Sequence, residues 1–183
     1  MINGMAEDIT TLLAHIYSEC FDQIYRYCTY RLYSQDLAED ATSAVFTKLV
    51  QRFPGLQHKT LPEIRRWLFG VASNVIAAYR RQKKHQKDAF RALSRASDRG
   101  LVLDEPRFHR LDWPLLHEAI SRLTDRQQDI LILRFFHGME TAEIAQIVGI
   151  SHVAVRVTLL RILRKLKDQL QRPFEGDPTD SPG

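Results

Sequence analysis

The sequence TAEIAQIVGISHVAVRVTLLRILRKL, residues 141–166, carries the clearest structural signal in the chain. Two short helical patterns flank Gly149, and glycine adopts the positive φ of a tight turn without steric cost. Ala145 is small where the two helices must cross closely. The side chain of Ser151 can cap the second helix by accepting a hydrogen bond from a free backbone N–H. The segment therefore predicts a helix-turn-helix.

The second helix of this segment has two different faces. Apolar residues at helical spacing form one stripe: Val155, Leu159, Ile162, Leu166 and Leu170. The remaining positions include the candidate nucleic-acid contacts: Arg156, Val157, Thr158, Leu160, Arg161, Arg164 and Lys165. A helix with an arginine-bearing face fits a major groove, where guanidinium groups read guanine and apolar side chains contact thymine methyl groups. An amphipathic helical hairpin without a nucleic-acid partner is the alternative.

Charge is distributed unevenly along the chain. The 183 residues carry a net charge of +4, a mild basic excess. Acidic residues dominate residues 7–47, whereas basic residues dominate residues 65–91 and again 156–172. Two basic segments indicate two separate contacts with a polyanion. Two solvated helix faces are the alternative interpretation of the same pattern.

The sequence contains no signals of a membrane protein, a secreted protein, an enzyme or a metalloprotein. No apolar run approaches the ~20 residues that span a bilayer, and the first ten residues do not resemble a signal peptide, so we expect a cytoplasmic chain without membrane insertion. Cys20 and Cys28 are expected to be buried thiols rather than a disulfide. No metal-ligand spacing, phosphate-binding glycine loop or nucleophile motif is present, and we expect neither an enzyme nor a cofactor nor a metal.

The periodicity predicts an all-α fold with two small helical domains. We place the first domain at 7–91, with helices at 7–33, about 36–52 and about 62–87. We place a flexible linker at 92–111, a second domain at 112–172 and a disordered tail at 173–183. Leu12 is among the core candidates of the first helix. Twenty linker residues can span at most ~65 Å, about two turns of B-DNA, so the domains could reach two sites on one duplex.

Two blocks of the chain resemble bacterial sigma factors of the sigma-70 family. Residues 123–166, LTDRQQDILILRFFHGMETAEIAQIVGISHVAVRVTLLRILRKL, resemble region 4. Residues 16–81 resemble region 2 through the following landmarks: Asp36, Ala38-Glu39-Asp40, Val45-Phe46, Trp67-Leu68, Ala72, Asn74 and Arg81. Two blocks joined only by a linker are similar to the extracytoplasmic-function (ECF) type. The resemblance implies a promoter-recognition subunit that binds core RNA polymerase and promoter DNA.

The resemblance assigns a role to the second helix and to the recognition helix. The second helix would dock on the clamp helices of the polymerase through Asp36, Glu39, Asp40, Ser43 and Phe46. Simple capping and complementarity to the helix dipole would also explain acidic residues at this N-terminus. The recognition helix would read an upstream element through Arg156 and Arg161, while Arg164 and Lys165 would hold phosphates.

The resemblance also implies that residues 53–81 help to open a downstream element by capturing a flipped base, which requires stacking and edge contacts. The candidate contacts are His58, Lys59, Arg66, Trp67, Asn74, Arg80 and Arg81. For Trp67, burial in the core is the alternative, and for the loop at 53–63 the alternative is a plain helical connection.

The chain departs from the family pattern at three places. Ser43 stands where a glutamine is usual, Ala78 where an aspartate is usual, and Val157-Thr158 where a Ser-Arg pair is usual. The leading alternative function is a helix-turn-helix transcriptional regulator whose N-terminal helices form a sensor or dimerisation module. A helical protein–protein adaptor is a third, and it would not need two basic segments. The sequence does not show whether an anti-sigma factor is a further partner.

Overall fold

The computed structural model describes residues 2–91 and 113–171. The expected linker at 92–111 and tail at 173–183 lie outside the described residues. Within the described part, every regular element is helical, which confirms the all-α prediction. The elements are α1 Ile2–Leu32, α2 Gln35–Arg52, a 3₁₀ turn at Phe53–Gly55, α3 Leu61–Arg91, α4 Trp113–Ser121, α5 Asp125–Phe135, α6 Thr141–Val148 and α7 His152–Gln171.

Helices α1, α2 and α3 pack into an N-terminal unit with a continuous apolar core. The chain reverses after α1 at Tyr33, whose φ is 53°, and the Ser34 side chain then caps α2 by accepting from the backbone N–H of Leu37. Leu12 was expected in the core, and this expectation is wrong: its side chain is 39% exposed. Leu12 lies at the solvent border of the buried stripe on α1, whereas Ile16, one turn later, is fully buried.

Helices α4 to α7 form a C-terminal unit that contains the predicted helix-turn-helix. Thr124 begins α5 with a reciprocal capping box, and Gly149 ends α6 in the left-handed conformation with φ 69°. The Ser151 hydroxyl accepts from the backbone N–H of Ala154 at 3.1 Å. Helices α6 and α7 meet at 99°, within the range of helix-turn-helix motifs. The local signals of the sequence are therefore confirmed.

The two units lie directly against each other. Helices α5 and α6 pack on α1 and α3, so that Tyr30 contacts Phe136 with ring centroids 4.6 Å apart. The ring of His117 on α4 stands edge-on to Tyr33 at 3.9 Å. Gly70 on α3 lies close to the backbone of Ile147 on α6. The sequence predicted two domains reaching two separate sites, and it gave no indication of this direct docking.

Candidate nucleic-acid interface

Helix α7 presents a mixed face to solvent, which we call the α7 face. Its apolar stripe turns inward: Val155, Leu159, Ile162 and Leu166 are all buried. On the opposite side Val153, Val157 and Leu160 form an apolar ridge, with exposures of 56%, 41% and 58%. At 100° per residue, Arg156 and Arg161 flank this ridge on its two sides and Arg164 lies along it.

This geometry brings most of the predicted recognition residues together. Val153 belongs to the ridge and was missed, although its spacing of four and seven residues from Val157 and Leu160 is a helical signal. Thr158 is half-buried at the side of the face, and Lys165 donates to the backbone carbonyl of Arg122 at 2.8 Å. Arginines flanking an apolar ridge can contact guanine edges and thymine methyl groups in one major groove.

A cleft of about 380 Å³ lies between α3 and α6, and we call it the α3 cleft. Its walls are formed by Lys59, Glu63, Arg66, Trp67, Gly70, Val71, Asn74, Gln146 and Ile147. Four of the predicted downstream contacts, Lys59, Arg66, Trp67 and Asn74, therefore lie around one cavity. The half-buried indole of Trp67 can stack on a base, and the amide of Asn74 can hydrogen-bond to the edge of that base. The cationic side chains of Lys59 and Arg66 can neutralise its phosphate.

The other three predicted downstream contacts lie outside the cleft. His58 and Arg81 are exposed to solvent. Arg80 has partners in both units: it forms an ion pair with Asp125 on α5 and donates to the backbone carbonyl of Arg31 on α1 at 2.6 Å. Partial burial raises the pKa of Asp125, but the hydrogen bond from Arg80 and the charges of Arg80 and Arg31 outweigh it and lower that pKa below its usual value. Arg80 is thus already paired with a carboxylate.

Three of the predicted polymerase-binding residues, Glu39, Ser43 and Phe46, line a second cavity, of about 410 Å³, between α1 and α2. We call it the α2 groove, and its walls are formed by Tyr17, Phe21, Tyr25, Glu39, Thr42, Ser43, Phe46, Thr47 and Val50. Asp36 and Asp40 are exposed residues of α2 that do not line the groove, Glu39 is exposed on its wall, and Phe46 is only 8% exposed.

Aromatic rings form the floor of the α2 groove. The ring of Phe46 packs 4.8 Å from Tyr17 and 6.0 Å from Phe21, measured between centroids. Tyr17 and Val50 leave 48% and 58% of their surfaces exposed. Tyr17, Tyr25 and Val50 were not predicted from the sequence, although Tyr17, Phe21 and Tyr25 follow each other at four-residue spacing on one helix face. An apolar floor with an acidic rim suits a protein helix rather than a polyanion.

A buried polar network joins the two units. Asp129 on α5 accepts hydrogen bonds from the Tyr27 hydroxyl and from Nε of Arg31, both at 2.6 Å, and from the Ser73 hydroxyl at 2.7 Å. The Arg31 side chain is fully buried, and it also donates to Gln128 and, at 3.3 Å, to Asp125. Burial lowers the pKa of Arg31, but the charge of Asp129 more than compensates and the pKa is raised. The sequence gave no sign that Arg31 is an interior residue.

Three further observations concern the described residues. They contain no cluster of three or more His, Cys, Asp or Glu side chains placed to hold a metal ion. No single helix among them is both long and apolar enough to cross a membrane. Cys20 and Cys28 are free and buried, as expected, and burial raises the pKa of Cys28 to about 11.

Comparisons with known proteins agree on one family. Residues 114–166 match the family described as Sigma-70, region 4. The chain is 27% identical over 154 residues to the ECF RNA polymerase sigma factor BldN of Streptomyces coelicolor, covering 82% of this chain and 57% of BldN. It is 28% identical over 169 residues to the RNA polymerase sigma factor YlaC of Bacillus subtilis, covering 88% of this chain and 94% of YlaC.

A solved structure shares the fold. The sigma factor RpoE of Bartonella quintana, crystallised in complex with the anti-sigma factor NepR, superposes with a TM-score of 0.68. The superposition covers 90% of this chain and 98% of that one at 16% sequence identity. The similarity in structure therefore extends over both helical units, beyond the segment that matches region 4.

Proposed function

We propose, from the premise that this chain belongs to the ECF group of the sigma-70 family, that it binds core RNA polymerase and directs the enzyme to promoters. The observation that carries the proposal is the pairing of two unlike surfaces on one chain. The α7 face is basic and suited to duplex DNA. The α2 groove is acidic and aromatic, and DNA would be repelled there. A second, proteinaceous partner is therefore needed, and the core enzyme fits that need.

The α2 groove is the proposed docking site for the polymerase. Asp36, Glu39 and Asp40 would face basic side chains of a clamp helix, while the exposed ring of Tyr17 and the half-buried ring of Phe21 would contact its apolar side chains. Apolar anchors surrounded by a polar rim are the usual composition of such interfaces. Ser43, on the groove wall, supplies a hydroxyl where a longer amide is usual in the family.

The two remaining surfaces would divide promoter recognition between them. The α7 face would read the upstream element, where Arg156 and Arg161 specify bases and Arg164 and Lys165 position the backbone. The α3 cleft would capture bases of the downstream element after strand separation. Unstacking one base costs a few kcal/mol, which stacking on Trp67 and bonds to Asn74 would offset without ATP.

The proposed activity is binding and positioning, with no chemical step carried by this chain. Its site of action would be the cytoplasm, where polymerase and promoter DNA are found. We also propose an anti-sigma factor as a regulatory partner that competes for the α2 groove or the α7 face. An ordinary helix-turn-helix regulator would instead bind duplex DNA specifically by itself.

The charge of Asp40 provides a direct test of polymerase docking. Asp40→Lys reverses the charge of an exposed α2 residue, so core binding should be lost while the helical content and melting temperature stay unchanged. Core binding is measured by co-purification with tagged core enzyme. Glu19→Lys is the matched control, since Glu19 is an exposed acid on the side of α1 away from the groove. Full core binding by a folded Asp40→Lys protein would refute this docking site.

A further inference from the structure

We propose that the α3 cleft is a binding site for a free adenosine 5′-phosphate, a small ligand distinct from the promoter strand of the proposed function. The groups on the cleft walls match the parts of a mononucleotide in kind and in order, and both α3 and α6 contribute to the walls. The cleft volume of about 380 Å³ lies within the roughly 300–1,000 Å³ of small-molecule sites.

The cleft residues of α3 follow one another along a single face of the helix. They include Glu63, Trp67, Gly70 and Asn74, each three or four positions after the one before. At 1.5 Å per residue, Glu63 lies about 6 Å before Trp67 along the axis, and Asn74 lies about 10 Å beyond it. A charged group, an aromatic ring, a gap and an amide therefore occur in the order in which a mononucleotide presents its sugar phosphate, base face and base edge.

Gly70 leaves space in the middle of the cleft that the packing of α3 does not require. Among the described residues, a Cβ added here would meet only the Ile147 carbonyl oxygen, at 3.9 Å, an ordinary van der Waals distance. Gly70 also has no positive φ. Glycine is less favourable than alanine inside a helix, so its presence needs another reason. A planar ring that lies against the α3 backbone beside Trp67 supplies that reason.

Two cations and one carboxylate lie at the end of the cleft where α3 begins. Lys59 and Arg66 form no hydrogen bond or ion pair with any described group, so both can bind a phosphate. Oε2 of Glu63 accepts from the backbone N–H and from the hydroxyl of Thr60, both at 2.8 Å. These two hydrogen bonds lower the pKa of Glu63 below its usual value. Oε1 can accept from a ribose, as carboxylates do in other nucleotide sites.

The Glu63 carboxylate favours a free ribonucleotide over a strand of promoter DNA. A carboxylate repels the phosphates of a continuous strand, and DNA lacks the 2′-hydroxyl that Glu63 could bind. Together with Lys59 and Arg66, it leaves only a small positive excess at this end of the cleft. Such an excess suits the terminal phosphate of a mononucleotide better than a polyanion.

Two side-chain amides indicate which base the cleft accepts. Asn74 on α3 and Gln146 on α6 are exposed residues of the cleft walls. An amide of this kind donates to N7 of adenine and accepts from its exocyclic amine, whereas guanine presents two acceptors at the same edge. The half-buried ring of Trp67 can stack on the face of the base. Adenine is therefore the base that fits.

Calorimetric titration of the isolated full-length chain with adenosine 5′-monophosphate tests the site. We expect one site per chain. Guanosine 5′-monophosphate and 2′-deoxyadenosine 5′-monophosphate should each bind about tenfold more weakly, because each loses a hydrogen bond to the cleft. Absence of saturable binding, or equal affinities for all three nucleotides, would overturn the proposal.

An added methyl group tests the gap at Gly70. Gly70→Ala should weaken binding of adenosine 5′-monophosphate about tenfold or more, since close-packed sites do not absorb an extra methyl group. Its melting temperature should not fall, because alanine is the better helix former. Gly55→Ala is the matched control: it adds the same group outside the cleft, where nothing lies within 4 Å, and should bind like wild type. Wild-type affinity in a folded Gly70→Ala chain would contradict a ring beside the α3 backbone.

Glu63→Gln tests the ribose contact. Glutamine keeps an oxygen that can accept from Thr60, so the start of α3 should be preserved. The affinities for adenosine 5′-monophosphate and its 2′-deoxy analogue should then differ by no more than about twofold. A full preference for the ribonucleotide in this variant would overturn the role of Glu63.

A single-stranded oligodeoxynucleotide of mixed sequence separates this site from the proposed function. A chain that binds the oligonucleotide but not adenosine 5′-monophosphate would overturn the free-ligand site and leave strand capture standing. A chain that binds the nucleotide but not core enzyme would support the ligand site and refute the sigma-factor function.

Discussion

At the scale of single residues, the side chain of His137 packs between the two units and is stable there only in its neutral form. Its ring lies 6.0 Å from Tyr27 and 5.1 Å from Phe69, measured between centroids. Burial, and secondly the charge of Arg26, lowers the pKa of His137 to about 4. Its Nε2 has no hydrogen-bond partner among the described residues, so the neutral ring is the form that fits this position.

We predict that acidification weakens the fold through His137. Between about pH 6.5 and pH 4 the unfolded chain binds a proton that the folded chain excludes, so stability falls as the pH falls, by at most roughly 3 kcal/mol. Urea denaturation at several pH values measures the change. His137→Phe removes the titrating group, and its stability should vary less with pH across this window. An equal pH dependence in both proteins would contradict the assignment.

Substitution of the arginines of the α7 face is predicted to affect DNA binding differently from substitution of its lysine. Arg156→Ala and Arg161→Ala should each cost about 1–3 kcal/mol on the preferred upstream sequence and relax base choice there. Lys165→Ala should weaken binding to all sequences equally and lower the salt slope by about one unit. Holoenzyme binding to randomised promoters at two salt concentrations separates these effects. A uniform loss for all three variants would mean that α7 reads only the DNA backbone.

At the scale of elements, local sequence signals predicted the turns and caps well, whereas contacts between residues far apart in the sequence could not be predicted. Gly149 and Ser151 act on backbone groups within four residues, and the turn and the cap are found where the sequence placed them. The pairing of Arg31 with Asp129 joins residues 98 positions apart. Helical periodicity contains no information on such a contact, so the sequence did not indicate that Arg31 is an interior residue.

The candidate surfaces were also predicted where their residues are close in the sequence and missed where they are distant. The ridge on α7 and the acidic residues of α2 were predicted because each lies on one helix. The α3 cleft and the α2 groove also need a second element, which is why Gln146 and Tyr17 were missed. Trp67 proved half-buried, a position between the two alternatives that the sequence left open.

The exposed ridge on α7 predicts recognition of thymine methyl groups. Replacing an upstream thymine by deoxyuridine removes only the methyl group and should weaken holoenzyme binding about fourfold, from the ~0.8 kcal/mol lost per buried methyl. Each thymine of the element is replaced in turn and the affinity measured. Leu160→Ala removes an apolar side chain from the ridge and should abolish the effect at one position. Equal responses of Leu160→Ala and wild type at every thymine would exclude a methyl contact by Leu160.

At the scale of the whole molecule, one chain carries surfaces of unlike chemistry. The α2 groove is the proposed polymerase site, and its wall residues Tyr17 and Val50 are exposed. The α3 cleft is the proposed site for single-stranded DNA, and residues of both α3 and α6 form its walls. Arg80, one of the predicted downstream contacts, is paired with Asp125.

The most direct measurement is transcription reconstituted from core RNA polymerase, this chain and genomic DNA, with the 5′ ends of all transcripts mapped. We predict start sites that require both proteins and share an upstream and a downstream element at constant spacing. Core enzyme alone, and core enzyme with Asp40→Lys, should not produce these starts. Absence of chain-dependent starts, together with tight and specific duplex binding by the isolated chain, would contradict the sigma-factor function and indicate an ordinary helix-turn-helix regulator.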